Sequence, residues 1–210
     1  MKIISTNIGA ATTFLWNGKE EQTGIYKYPA NQPLFLGKTD VENDTVVDRK
    51  HHGGIHKACF LFASEHYEYW KAIYPNLKWD WGMFGENLTT EGMDDSTTRI
   101  GDVYRIGTAL VQISTPREPC YKLKVRFNDP HIIEKYLAYG KPGTYVRILE
   151  EGSVVKGDTI ELVQQSTNTL TVAECFTVIL SKHKNPFLLQ KAINNLAVPE
   201  YKRLRLLKYL

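Results

Sequence analysis

The stretch DVYRIGTALVQIS, residues 102–114, decides the fold class. Its two halves, DVYRIG and ALVQIS, are short, rich in β-branched and aromatic residues, and meet at a glycine. That pattern marks successive strands rather than a helix. The same composition recurs in KIISTNI (2–8), KACFLFA (57–63) and TYVRIL (144–149), with Gly, Asp and Asn punctuating the intervals. Two helical patterns interrupt the strands. Ser64 stands as a cap before a segment that sets Tyr67, Trp70 and Tyr74 on one face. Asp129–Pro130 opens another, with Ile133 and Leu137 inward and Gly140 as its stop. Strands at this density, with few helices, predict a mainly β, β-barrel-like domain over residues 1–163.

The character changes at residue 164, where Gln164–Asn168 reads as a polar linker. Thr171-x-x-Glu174 is a capping box before Val172, Phe176, Ile179 and Leu180, spaced for one helical face. Asn185–Pro186 starts a second helix with Leu189, Ile193 and Leu196 on its apolar side. Pro199 starts a third, with Leu204, Leu207 and Leu210 available for packing. Residues 164–210 therefore predict a small all-α three-helix domain, too small to stand alone. It leans on the first domain or on a second copy of the chain. Residues 1–163 carry a net charge of −2 and residues 164–210 a net +5. Such a tail suits an acidic redox partner, a homodimer surface or plain solvent. Its regular apolar positions argue for packing and against a nucleic-acid reader.

With 42% hydrophobic and 23% charged residues in 210, the composition is that of a soluble globular protein. No apolar run approaches the ~20 residues of a membrane span, and MKIISTNIGA lacks the pattern of a signal peptide. A cytoplasmic protein is expected. The three cysteines are far apart and form no CxxC, which argues against a disulfide framework or a cysteine zinc site. Cys59, within ACFLF, and Cys175, beside Phe176, read as small core residues.

Three stretches carry candidate chemistry. In STPREPCYKL (114–123), Cys120 sits in a loop stiffened by Pro116 and Pro119, between Arg117 and Lys122. Nearby cations favour a thiolate, the form that attacks electrophiles or binds metals; an idle loop cysteine is the competing reading. In VVDRKHHGGIHKACF (46–60), Gly53–Gly54 allows an anion-binding run of N–H groups, flanked by Arg49, Lys50 and Lys57. A zinc site on His51, His52 and His56, or a plain glycine turn, competes with it. In WGMFGENLTTEG (81–92), Gly82 and Gly85 frame Met83–Phe84, and Asn87 offers an amide to a heterocycle edge; a glycine-rich β-turn with a buried Phe84 is the competing reading.

Taken with GTYVRILEEGSVVKGDTIEL (143–162), these stretches resemble the MOSC family, closest to its stand-alone, YiiM-like bacterial branch. The motifs occur in the family's order across most of residues 46–162, and the tail resembles the branch's three-helix domain. The resemblance implies a β-barrel-like fold that holds molybdenum cofactor, a molybdopterin, with Cys120 as ligand to the metal and as catalytic residue. It places Arg49, His52, Gly53, Gly54 and Lys57 around the cofactor's anionic end, and Asn87 and Arg117 nearer the pterin. It implies reduction of N-hydroxylated compounds such as 6-hydroxylaminopurine, a detoxifying activity. No GxGxxG or other nucleotide fingerprint is present, so an external electron-donor reductase is expected as partner. The alternative within the resemblance is a cofactor carrier or sulfur-transfer protein using a Cys120 persulfide.

Overall fold

The computed structural model describes residues 1–210. The chain opens with β1 (Lys2–Ile8), β2 (Thr12–Trp16), β3 (Lys19–Thr23), β4 (Tyr28–Pro29) and β5 (Leu34–Leu36), followed by a single helical turn, α1 (Arg49–His52). Then come β6 (Cys59–Ala63), α2 (Glu65–Ile73), β7 (Leu88–Glu91), β8 (Val103–Ile106) and β9 (Ala109–Pro116). Two helices, α3 (Lys122–Phe127) and α4 (Ile132–Tyr139), precede β10 (Thr144–Glu150), β11 (Gly152–Val154) and β12 (Ile160–Gln164). The chain ends with α5 (Val172–Leu180), α6 (Pro186–Asn194) and α7 (Glu200–Leu207). No helix is long and apolar enough to cross a membrane.

The fold is mainly β with helices packed on it. Eight strands form one sheet in the order β12-β8-β9-β10-β6-β7-β1-β4. Its pairs are antiparallel except β6–β7, where the α2 crossover makes the strands parallel. The expected β-barrel-like domain is found as a mainly β sheet that does not close into a barrel. The start of β1 also touches the segment leading into β12, through the isolated Lys2–Thr159 bridge and Ile3 N–H donating to Asp158 O at 2.9 Å. The β2–β3 hairpin stands apart from the sheet. Its turn is Asn17–Gly18, both at positive φ, which fits the twist of a two-residue hairpin.

One apolar cluster fills the space between the sheet and the C-terminal helices. It joins Ile3, Val111, Ile113 and Val146 to Val172, Cys175, Leu189 and Leu206. The capping box at Thr171 forms as expected, with both reciprocal hydrogen bonds. Asn185 caps α6, accepting the N–H groups of Phe187 and Leu188. The inward faces of three helices differ from the sequence reading. In α4 the buried residues are Ile132 and Tyr136, one position from Ile133 and Leu137, and Leu137 is exposed. In α6, Leu189 is buried but Leu196 lies beyond the helix end and is exposed. In α7, Leu206 is buried together with Lys202, and Leu204, Leu207 and Leu210 face outward. A buried lysine, ion-paired to the half-buried Glu118, took the place that apolar spacing reserves for leucine.

A second, aromatic cluster lies on the other side of β6. It contains Phe60, Phe62, Tyr67, Trp70, Phe84, Phe127, Tyr136, Tyr145 and Phe176. Tyr67 and Trp70 are its contribution from α2, as their spacing predicts. Phe84 rests against Phe62 at 4.3 Å between ring centroids.

Candidate functional site

An open pocket of about 590 Å³ lies between the base of the β2–β3 hairpin, α1, β6, the 82–87 turn and the loop after β9. The 82–87 turn is built around Glu86, which is wholly buried. Its carboxylate accepts hydrogen bonds from Gly82 N–H at 2.9 Å, Phe84 N–H at 3.1 Å, Thr89 Oγ1 at 2.9 Å, and the Tyr67 hydroxyl. Burial still pushes its carboxyl up. Gly82 has φ +85°, and a side chain there would meet Lys27 O at 2.7 Å, so glycine is required. This turn presents Phe84 and Gly85 to the pocket, where Phe60 and Tyr145 complete an aromatic wall.

The opposite character comes from cations. Lys27, Lys57, Arg117 and Lys122 all line the pocket, against the carboxylates of Asp44 and Asp48. Both carboxylates are already committed. Asp44 pairs with Lys27 and accepts Gly9 N–H at 3.0 Å and Asn87 Nδ2 at 2.9 Å. Asp48 caps α1 and binds the His51 ring at 2.9 Å. Lys57, Arg117 and Lys122 are left without a carboxylate partner.

Arg117 is the most telling of the three. It is 4% exposed, stacks over Phe60 and Tyr136 at 5.4 and 5.5 Å, and its Nη1 has no hydrogen-bond partner. A buried, unpaired guanidinium N–H is costly unless something outside the chain satisfies it. Lys122, at the start of α3, is 8% exposed. Lys57 donates to His51 O at 2.6 Å. Burial, reinforced by the charge of Lys202, brings its ammonium down to about 8. Burial and then the charges of Arg117, Lys57 and Lys122 push His52 down to about 4. His52 is therefore a neutral imidazole near neutral pH. The arrangement is suited to an anion with a flat, aromatic body.

Of the residues singled out from the sequence, His52, Lys57, Asn87, Arg117 and Cys120 line this pocket; Arg49, Gly53 and Gly54 do not. Cys120 is half-buried, in the loop that follows Pro116. Arg49 points to solvent and donates from Nη2 to Asp40 at 2.6 Å. Gly53 ends α1 in an extended conformation, and Gly54 N–H is donated to Thr39 O at 3.1 Å. The Gly-Gly pair thus ends a helical turn and offers no anion nest. Asn87 is also occupied. Its Oδ1 accepts Phe60 N–H at 3.2 Å and its Nδ2 donates to Asp44, so its amide braces the pocket wall and is not free to read a heterocycle.

The zinc reading fails on geometry. His51 and His52 lie on α1, while His56 turns to Arg147, with Nδ1 2.7 Å from Nη2. No three His, Cys, Asp or Glu side chains converge as a metal-ligand group. The sequence reading missed Lys27, Asp44 and Tyr145, which reach the pocket from distant elements and carry no motif. It also missed Glu118, although the charge alternation in PREPC was visible.

Comparison with known proteins identifies the family. The MOSC domain model matches residues 48–161. The uncharacterized protein YflK of Bacillus subtilis is 33% identical over 206 residues, covering 98% of this chain and 93% of its own. A protein of Gibberella moniliformis named Reductase is 34% identical over 79% of this chain, which spans 30% of that longer protein. The crystal structure of YiiM from Geobacillus stearothermophilus superposes with a TM-score of 0.82 at 29% identity, covering 99% of this chain and 97% of that one. The chain belongs to the MOSC-domain family, in its YiiM-like branch.

Proposed function

We propose that the protein is a molybdenum-cofactor-dependent reductase of N-hydroxylated compounds. The observation that carries the reading is the buried Arg117 guanidinium, with Nη1 unpartnered, opening on the same pocket as Cys120. An anionic pterin fits that donor set. Arg117, Lys57 and Lys122 would hold its negative groups. Phe60, Phe84 and Tyr145 would cover a flat ring system. The Cys120 thiolate is a soft ligand suited to the metal. The cofactor, when bound, supplies the two-electron redox chemistry.

The overall change breaks the N–O bond of the hydroxylamine. It consumes two electrons and two protons, and releases the amine and water. The chain's own task is to bind, orient and shield. Neutral His52 and the Lys57 ammonium are the groups placed to move a proton in the pocket. The electrons come from a separate reductase. The name Reductase borne by the Gibberella relative supports a redox role.

The test is metal analysis of wild type and Cys120→Ser, purified anaerobically from a host that makes the cofactor. It is paired with turnover of 6-hydroxylaminopurine by an added electron donor. Molybdenum and turnover in wild type, both lost in the variant, support the reading. Equal molybdenum in both moves the ligand away from Cys120. A persulfide on Cys120 with no turnover replaces reduction by sulfur transfer.

A further inference from the structure

The deepest lysine of the protein lies on its C-terminal helix. Lys202 is 1% exposed, and its Nζ donates to Thr115 Oγ1 and to Glu118 Oε1, each at 2.6 Å. Arg205, one turn on, reaches within 3.7 Å of the other Glu118 oxygen. Thr115 lies near the end of β9, and Glu118 sits between Arg117 and Cys120 in the loop that follows.

At its far end the loop is held by Tyr121, whose hydroxyl donates to Glu21 and whose ring packs on Trp16, and the Arg117 side chain lies over Phe60 and Tyr136; between these points its backbone is lightly tied. Arg117 N–H donates to Gly143 O at 3.2 Å, and Cys120 O accepts the N–H of Leu123 only three residues on. Pro116 and Pro119 fix φ on either side of Arg117 and Glu118, leaving few free torsions between them. The Glu118 anchor then restrains the backbone between Pro116 and Pro119 and, with it, the aim of its neighbours. With Glu118 drawn towards α7, Arg117 and Cys120 turn into the pocket. A buried ion pair is weak as a general stabiliser, but it enforces one geometry when its hydrogen bonds are satisfied. Here Lys202 is buried with two hydrogen bonds while Glu118 is half-buried at the rim, and the leucine that would suit a simple core is absent.

We infer that α7 is part of the pocket's construction, and that Lys202, acting through Glu118, is a positioning residue for the loop that presents Arg117 and Cys120. What the loop is aimed at rests on the proposed function; the brace itself does not.

The test reads the aim of Cys120 without any cofactor. The full chain, freed of metal, is treated with iodoacetamide, and the alkylation rate of each cysteine is followed by mass spectrometry. Cys59 and Cys175 are buried and serve as internal controls. In Lys202→Met, local opening of the loop raises the Cys120 rate by about fivefold or more, while the two controls keep their rates. Lys202→Arg restores the rate to within about twofold, because a guanidinium can still bond Glu118. Glu118→Gln gives a smaller rise of the same sign, since its amide oxygen still accepts from Lys202.

An unchanged Cys120 rate in both Lys202→Met and Glu118→Gln overturns the inference. So does an equal acceleration at all three cysteines, which marks general loosening. If Lys202→Met does not fold, Glu118→Gln decides alone. A Cys120 that never binds molybdenum still reports the brace, and metal analysis tests that separate claim.

Discussion

Replacing Arg117 by methionine separates binding from folding, because the two respond differently. In the empty protein the guanidinium carries an unsatisfied, desolvated N–H. Removing it relieves a penalty of about 1–3 kcal/mol. The variant loses two cation–π contacts of about 0.5–2 kcal/mol each, over Phe60 and Tyr136. Methionine returns about 0.3–1.5 kcal/mol through sulfur–aromatic contact with the same rings. The terms oppose and nearly cancel, so the melting temperature of cofactor-free protein holds to within about 4 °C, the shift of one kcal/mol at this size. Binding has no such compensation. A charge-assisted hydrogen bond of about 1.5–3 kcal/mol is lost, which is a 10- to 100-fold loss of affinity for the anionic group. The assay is calorimetric melting of the empty protein together with molybdenum content after anaerobic purification. Wild-type molybdenum content in the variant refutes the reasoning. So does a fall of more than about 10 °C in the empty protein, which makes Arg117 a packing residue.

Lys57 titrates at about 8 in the folded chain, so cofactor retention weakens as pH rises through and beyond that value, with the bound anion moving the midpoint upward. The empty fold responds in the other direction: between about 8 and 10.5 the unfolded chain holds a proton that folded Lys57 lacks, so stability from this group grows with pH, as melting across that range checks. His52 stays neutral above about 4, so cofactor retention, followed by molybdenum content, is flat from pH 5.5 to 7. Tyr67→Phe removes a donor to buried Glu86 and lowers stability by about 1.5–3 kcal/mol in denaturant melts. Gly82→Ala forces a side chain onto Lys27 O at positive φ and costs about 1–2 kcal/mol or more, with the pocket turn disturbed before the rest of the fold.

The sheet strands were legible because their composition and alternation are local properties. KIISTNI, KACFLFA and TYVRIL each became a strand at close to the expected bounds. The β2–β3 hairpin was not read, although Asn17–Gly18 announces its turn. Its strands, TTFLW and KEEQT, face solvent and lack an alternating apolar face. The α7 face was misjudged because spacing alone cannot show that a lysine has a carboxylate partner waiting 84 residues away. Within the pocket, Cys120, Lys57 and His52 stood out through neighbouring charge and glycine. Asp44, Lys27 and Tyr145 arrive by tertiary contact, and nothing in their own surroundings announces it. Asn87 looked like a free amide, yet the backbone of Phe60 and the carboxylate of Asp44 had already claimed it.

The β2–β3 hairpin has a kinetic consequence. Tyr121, beside Cys120, bonds Glu21 of the hairpin and packs on Trp16 at 5.0 Å between ring centroids. On its other flank the same loop is tied to Lys202. These ties span 100 and 84 residues of chain, so the loop entropy each must overcome is large until the sheet between them has assembled. The pocket is thus a late product of folding. A ligand that recognises only the finished pocket draws the population towards the native state by mass action, and newly made chains ripen under its concentration.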